Sequence, residues 1–178
     1  MKRIIALCLS LIMCIGLAAC AENNAIDVPM GMMLASDPDI PEYVLMVPND
    51  WTIESSTGTT TAYYKDNLSG SVLATFSATF NMISEGVTLE NYFDTYKTEF
   101  TSVFGEPENI EANDNLLDGK PAKEYVYTAK FGENEYKFWQ VICFHEGIIY
   151  TLTYSATAQY FDNYAEDMSL ILGNFYFK

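Results

Sequence analysis

Histidine, cysteine and positive charge are scarce in this chain. His145 is the only histidine, beside Glu146. A metal site or an acid–base pair built on it needs further ligands at matched positions, and none can be placed. Cys8, Cys14 and Cys20 fall in the first twenty residues, which leaves Cys143. No internal disulfide can form without those three, so a small stapled scaffold is excluded. Nine basic residues stand against 24 acidic ones, a net charge of −15. Nucleic-acid binding needs a basic patch that releases counterions, and no basic run exists, so nucleic acid is excluded as a partner. There is no Gly-x-Ser-x-Gly nucleophile motif. No internal repeat with a period of about 20–50 residues is visible. No apolar run reaches the roughly 20 residues of a comfortable bilayer span.

What is present begins at the N-terminus. Lys2 and Arg3 precede an apolar run, Ile4 to Leu17, broken by Ser10 and Gly16. This is the pattern of an export signal. The run ends in Leu17-Ala18-Ala19-Cys20. That box resembles the bacterial lipobox, in which the cysteine thiol is diacylated and cleavage leaves the cysteine as the new N-terminus. The alternatives are an ordinary signal peptide with a chance cysteine, or an uncleaved anchor. The lipobox reading makes residues 1–19 a lipoprotein signal peptide and Cys20 the lipidation site. It places the protein on the extracytoplasmic face of the cell membrane, held by lipid. One acyl chain binds a membrane marginally, whereas two anchor it stably. Losing Lys2 and Arg3 takes the net charge from −15 to −17. That charge holds the domain off an anionic lipid surface, so the lipid is the membrane contact.

Residues 20–42 read as a lipidated flexible tether. They carry acidic residues, no basic ones, and Pro29, Pro38 and Pro41. Such sequence buries too little to order itself. Met30-Gly31-Met32-Met33-Leu34 departs from this and is expected to dock on the domain; the alternative is a soft methionine surface for a partner.

Residues 43–178 are long enough for one domain. Tyr43 to Val47 reads as a strand, and Pro48-Asn49-Asp50 as a turn. A second short strand follows from Trp51, then a strand over Thr60 to Lys65. Val72, Ala74, Phe76, Ala78 and Phe80 alternate with smaller or polar residues, the signature of a half-buried strand. Thr88 is a plausible N-cap for a helix striped by Leu89, Tyr92, Phe93, Tyr96, Phe100, Val103 and Phe104. Gly105 and Pro107 stop it. Strands are expected over 109–117, 122–131, 135–145 and 148–155, joined by the turns Asp118-Gly119, Gly132-Glu133-Asn134 and Glu146-Gly147. Tyr125, Tyr127 and Phe131 share one strand face. The 135–145 strand is apolar on both faces and is therefore expected to be covered on both sides. Ile148, Tyr150, Leu152 and Tyr154 share one face of the next strand, with mostly Thr and Ser opposite. A last helix is expected over 157–172, ended by Gly173, with Phe175-Tyr176-Phe177 as a closing edge strand. The fold class is α+β: an α/β/α sandwich with a central, mainly antiparallel sheet flanked by two main helices.

Several stretches resemble the PsbP-like group of proteins, which also includes DcrB. They are Tyr43-Val44-Leu45-Met46-Val47-Pro48-Asn49-Asp50-Trp51, the aromatic-striped helix at 88–104, and Leu117-Asp118-Gly119-Lys120-Pro121-Ala122-Lys123-Glu124-Tyr125. Gly147-Ile148-Ile149-Tyr150-Thr151-Leu152-Thr153-Tyr154-Ser155 and the terminal Phe175-Tyr176-Phe177 complete the pattern. The resemblance spans about residues 40–178 and implies the α/β/α sandwich of a bacterial lipoprotein of that group. These are turn and packing motifs without a chemical one. The group's members are mostly binding or assembly modules, so the resemblance implies binding, not turnover.

The remaining candidates for chemistry are few. Cys143 lies in Val141-Ile142-Cys143-Phe144, where a buried small hydrophobe outweighs a reactive thiol. Asn113-Asp114-Asn115 with Asp118 and Gly119 hints at a calcium loop but lacks EF-hand spacing and the terminal glutamate, so turn chemistry is the better reading. Thirteen tyrosines can be core, or the wall of a carbohydrate or peptide groove. The expectation is a lipid-anchored extracytoplasmic binding or interaction module, without catalytic activity, cofactor or metal, whose partner is an unidentified protein or small molecule. The alternatives are a lipoprotein that binds a small ligand or divalent cation and serves a transporter, and an enzyme.

Overall fold

The computed structural model describes residues 26–36, 42–56 and 58–178. The expected signal peptide and Cys20 lie outside the described residues. The elements are β1 (Met32–Leu34), β2 (Tyr43–Val44), β3 (Met46–Pro48), β4 (Thr52–Ser56), β5 (Thr59–Lys65) and β6 (Val72–Met82). Helix α1 (Tyr92–Phe104) follows, then β7 (Glu108–Leu117), β8 (Lys120–Phe131), β9 (Asn134–His145) and β10 (Ile148–Thr157). A 3-10 turn (Phe161–Asn163), helix α2 (Ala165–Gly173) and β11 (Tyr176–Phe177) close the chain.

Seven strands form one sheet in the order β4-β5-β6-β10-β9-β8-β7, every neighbouring pair antiparallel. The chain leaves the sheet after β6, crosses through α1 to the far edge, and returns by three hairpins to lie beside β6. Local turn chemistry sets those hairpins. Asp118 and Gly119 both have left-handed φ, 46° and 71°. That matches the twist of the strands they join. Glu146 and Gly147 do the same between β9 and β10, at 49° and 80°.

The sheet is buried on both sides where β9 runs. Val141 and Cys143 face one core, shared with Phe76, Leu152, Tyr154 and Met168. Phe138 and Ile142 face another, shared with Phe93, Phe100, Tyr125 and Tyr127. The two-faced pattern of this strand therefore means what its periodicity predicts. Helix α1 covers the second core.

The layer over the first core differs from the expectation. It is a mixed layer of β1, β2, β3, β11 and α2, and among the described residues no second long helix lies there. The described residues are mainly β, with two α-helices. The last helix is shorter than the 157–172 expected because Thr157 still pairs with Tyr136 and the Ala158 N–H donates to Glu135 O at 2.9 Å. The Tyr154 hydroxyl then donates to Phe161 O at 2.6 Å, which fixes the 3-10 turn ahead of α2. The terminal aromatic strand pairs with β2 and does not extend the main sheet.

Further corrections fall at element ends. Helix α1 starts at Tyr92, a turn later than Thr88 suggests. Thr88 still organises its entry: the Thr88 N–H donates to Asn91 Oδ1 at 2.8 Å and Thr88 Oγ1 accepts from the Asn91 N–H at 3.3 Å. Gly105 ends the helix as expected, its N–H donating to Thr101 O at 3.0 Å. Val103 is 59% exposed and Phe131 is exposed, so neither belongs to the core that the stripes assigned them. The apolar piece before the domain does dock. Met32–Leu34 pairs antiparallel with β3. The Ala35 and Ser36 N–H groups both donate to Leu45 O, at 2.8 and 3.2 Å. Met30 stays exposed. Residues 32–36 of the segment read as tether thus belong to the packed structure.

One cross-link in the mixed layer carries a test. The Trp51 Nε1–H donates to Asp167 Oδ2 at 2.9 Å, tying the 45–51 segment to α2. Burial nonetheless raises the Asp167 carboxyl above its ordinary range, outweighing that bond. A carboxyl raised on folding leaves the native state binding more protons, so stability falls as pH rises through the carboxylate range. Asp167→Asn keeps an acceptor for Trp51 and removes the charge. It is expected to raise the melting temperature at pH 7 more than exposed Glu166→Gln does. The advantage should vanish near pH ~3, where the wild-type carboxyl is protonated. Thermal unfolding at the two pH values checks this.

Candidate binding cleft

The register of β6 and β10 creates an apolar hollow at one end of the sheet. Tyr150 pairs with Phe80 and Ile148 with Met82, so all four project from the sheet's first-core face at one end of the strands. Strand β2 lays Tyr43 across them. Its ring lies 4.7 Å from Phe80 and 6.0 Å from Tyr150, centroid to centroid. β11 then sets Phe177 edge-on to Tyr150 at 4.9 Å. Tyr43, Phe80, Met82, Ile148 and Tyr150, together with Glu42, Gly58 and Asn81, line a half-open cleft of about 310 Å³. That is the lower end of the ligand-pocket range.

The floor is aromatic and the rim is polar. Tyr43 and Tyr150 are buried, whereas Met82 is 86% exposed at the mouth. Burial pushes the Tyr150 hydroxyl up, and the nearby carboxylates of Glu42 and Glu146 push it further. It therefore stays protonated and able to donate at any physiological pH. The electrostatic sense of the cleft is negative at the rim, over faces of π-systems that also favour cations.

The candidates for chemistry do not converge on this cleft. His145 stands one ring away: it packs on Phe177 at 4.3 Å, and its Nε2 lies 3.9 Å from Glu146 Oε1. Cys143 is fully buried in the first core, and burial pushes its thiol up to about 11. It is a small hydrophobe, as its apolar run suggests. Asn113, Asp114 and Asn115 lie along β7, with Asp114 paired to Lys123 and Asn115 Nδ2 donating to Glu124 Oε2 at 2.7 Å. Asp118 Oδ2 accepts the Phe177 N–H at 2.9 Å. These residues serve turn and strand chemistry. Among the described residues no group of three or more His, Cys, Asp or Glu stands together to hold a metal ion, and no helix is long and apolar enough to cross a membrane.

Sequence reasoning placed Phe80 and Tyr150 each on an apolar strand face but did not bring them together. Their pairing bridges about seventy residues of chain, and no local pattern signals it.

Comparison with solved structures decides the architecture. Cyanobacterial PsbP from Synechocystis sp. PCC 6803 superposes with a TM-score of 0.60 over 86% of this chain and 96% of its own, at 15% identity. The fold is PsbP-like. LpqN of Mycobacterium tuberculosis, described as involved in cell envelope biogenesis, matches this PsbP-like domain with a TM-score of 0.59 at 14% identity, covering 83% of this chain and 90% of that one. The Ran-binding protein Mog1p of Saccharomyces cerevisiae matches at 0.54 and 6% identity, over 75% and 89% of the two chains. No family model and no curated protein sequence matches the chain. At these identities the PsbP-like likeness is one of fold.

Proposed function

We propose that this protein is a lipid-anchored binding module on the extracytoplasmic face of the cell membrane, held by acyl chains on Cys20, and that the Tyr43–Phe80–Tyr150 cleft takes a small ligand. The cleft carries the reading: a preformed aromatic hollow, a protonated tyrosine hydroxyl and the carboxylate of Glu42 near it. That chemistry suits a small molecule with an aromatic or alkyl body and a positive head group. The likeness to LpqN, with its described role in the cell envelope, is in keeping with a site outside the cytoplasm. The non-catalytic reading is supported by the placement of the nucleophile and base candidates, with Cys143 sealed in the core and His145 packed on Phe177.

Calorimetry and thermal unfolding test it. Arylalkylamines such as phenethylamine and tryptamine are expected to raise the melting temperature of the full-length protein in detergent. Binding at one hundred times Kd adds about 2.7 kcal/mol of stability. The matching carboxylate, phenylpropionate, is expected to have no effect. Tyr150→Ala should abolish the response. A flat response to every amine at millimolar concentration would contradict the reading.

A further inference from the structure

Strand β7 is one edge of the main sheet, and among the described residues no strand pairs with its outer side. Register shows which of its backbone groups face outward. Leu117 and Lys120 flank the two-residue turn Asp118-Gly119, so they form a pair that exchanges both backbone bonds. Alternation then gives Asn115, Asn113 and Glu111 to the ladder with β8. It turns the N–H and C=O of Leu116, Asp114 and Ala112 outward. The partner of Leu116 is Pro121, which has no N–H to donate. The Leu116 N–H donates to Asn115 Oδ1 at 2.7 Å, the side chain of its own neighbour.

We propose that β7 takes an extended, basic segment of a partner protein as an added strand. The first argument is what guards the edge. Exposed edges are guarded by shortness, by lysine or proline, or by a bulge. The opposite edge, β4, is five residues long. β7 has ten, with neither lysine nor proline among them. Its bulge sits at the Glu108–Glu111 end, where Asn109 takes a left-handed φ of 53°. Residues 111–117 pair with β8 in unbroken register. Acidic charge guards that stretch, on exposed Glu111 and Asp114. A second copy laid along it would gather these carboxylates from both strands without an added cation, which is destabilising. A strand carrying lysine or arginine meets the same outward groups with complementary charge.

The second argument is a hollow of about 270 Å³ beside this edge, on the α1 side of the sheet. Glu90, Ala112, Asn113, Asp114, Lys123 and Tyr125 line it. Ala112 pairs with Tyr125 and Asp114 with Lys123, so side chains of an added strand on that side fall into the hollow. The Tyr125 ring stacks on Phe93 at 4.0 Å, which fixes it there. Asp114 is bonded to Lys123, whereas Glu90 has no ion pair among the described residues. Burial raises the Tyr125 hydroxyl; Lys123 opposes that, and the charges of Asp94, Glu90 and Asp114 add to it. A carboxylate at the rim and a tyrosine wall suit a lysine or arginine, stem on the ring and charge outward. Further along the same side, Leu116 is 65% exposed. The fitting segment therefore has an apolar residue opposite Leu116 and basic ones opposite Asp114 and Glu111. Main-chain bonds supply its affinity, and the hollow its selectivity. The edge stands independently of the aromatic cleft and its ligand.

The test uses the full-length chain in a nonionic detergent. The probe is the capped peptide Thr-Val-Thr-Lys-Thr-Thr-Lys-Thr, which sets valine opposite Leu116 and its lysines opposite Asp114 and Glu111 when it runs antiparallel. The control has glutamate in place of both lysines. Calorimetry reads affinity, and hydrogen–deuterium exchange locates the contact. The lysine peptide is expected to bind at sub-millimolar concentration and to protect residues 111–117, with no binding of the glutamate peptide. Ala112→Pro deletes one outward N–H, at a kind of position where an edge strand tolerates proline. It is expected to abolish binding with the melting temperature little changed. Glu90→Lys/Glu111→Lys alters exposed side chains only and is expected to weaken the lysine peptide about tenfold. Tyr150→Ala in the cleft should leave peptide binding unchanged. The proposal is overturned if the lysine peptide does not bind at millimolar concentration, or if the glutamate peptide binds as well. Unchanged affinity in the double-lysine variant overturns it too, as does protection confined to the cleft. So does protection of 111–117 that rises with protein concentration alone, because a second copy would then be the occupant.

Discussion

Cys20→Ala is expected to move most of the protein from the membrane pellet to the soluble fraction. The argument is one of free energy per acyl chain. Each methylene buried in a bilayer is worth ~0.8 kcal/mol, and stable anchoring needs two chains. Without the thiol no diacyl group can be attached. The rest of the molecule offers no substitute: without residues 1–19 its net charge is −17 once Lys2 and Arg3 are gone from a chain of −15, and an anionic leaflet repels it. Cys20→Ser should behave like Cys20→Ala, because a hydroxyl is a poor replacement for the nucleophilic thiol. Fractionation with immunoblotting reads the outcome. A variant that stays quantitatively in the pellet would show that the apolar run Ile4–Leu17 is an uncleaved anchor.

The second large effect is expected inside the domain. Phe100 is buried on the sheet-facing side of α1. Its ring meets Tyr127 at 5.3 Å and Phe138 at 5.0 Å edge-on, and stacks on Phe104 at 4.9 Å. Phe100→Ala removes the ring that seats the helix on β8 and β9, and core truncations of this type cost about 3–5 kcal/mol. That is a large share of a domain's stability, roughly 5–15 kcal/mol. Val103→Ala, one turn further along the same stripe, is expected to change stability by less than about 0.5 kcal/mol because the side chain faces solvent. Urea unfolding of the two variants separates them. Equal losses would place Val103 against the sheet and contradict the orientation of α1.

That contrast shows what the sequence could and could not reveal. The stripe from Leu89 to Phe104 is legible as a helix because its apolar residues recur at helical spacing. It does not say where the helix rolls away from the sheet, since that depends on where the edge of β8 lies. The hairpins were legible from Asp118-Gly119 and Glu146-Gly147: Asp and Gly suit a left-handed backbone, and Glu146 adopts it beside Gly147 against its own preference. Strand β9 betrayed its burial on both faces by being apolar at both even and odd positions. The mixed layer was legible in its pieces and not in its pairing. Tyr43–Val47 and Phe175-Tyr176-Phe177 read as strands and Met30–Leu34 as a docked piece, but that Leu45 and Val44 find partners in Ala35 and Tyr176 is a long-range matter. The 157–172 pattern reads as a helix by spacing, yet Tyr154 holds Phe161 by a hydrogen bond that local sequence does not announce. The cleft shares this character.

Anchoring outside the cytoplasm is the premise on which the proposed binding role depends. The intact mass of the protein recovered from membranes tests it most directly. The expected mass is that of residues 20–178 with diacylglycerol, or a further acylated form of it, on Cys20. The mass of the uncleaved chain, or of a cleaved chain with a free Cys20 thiol, would contradict the account.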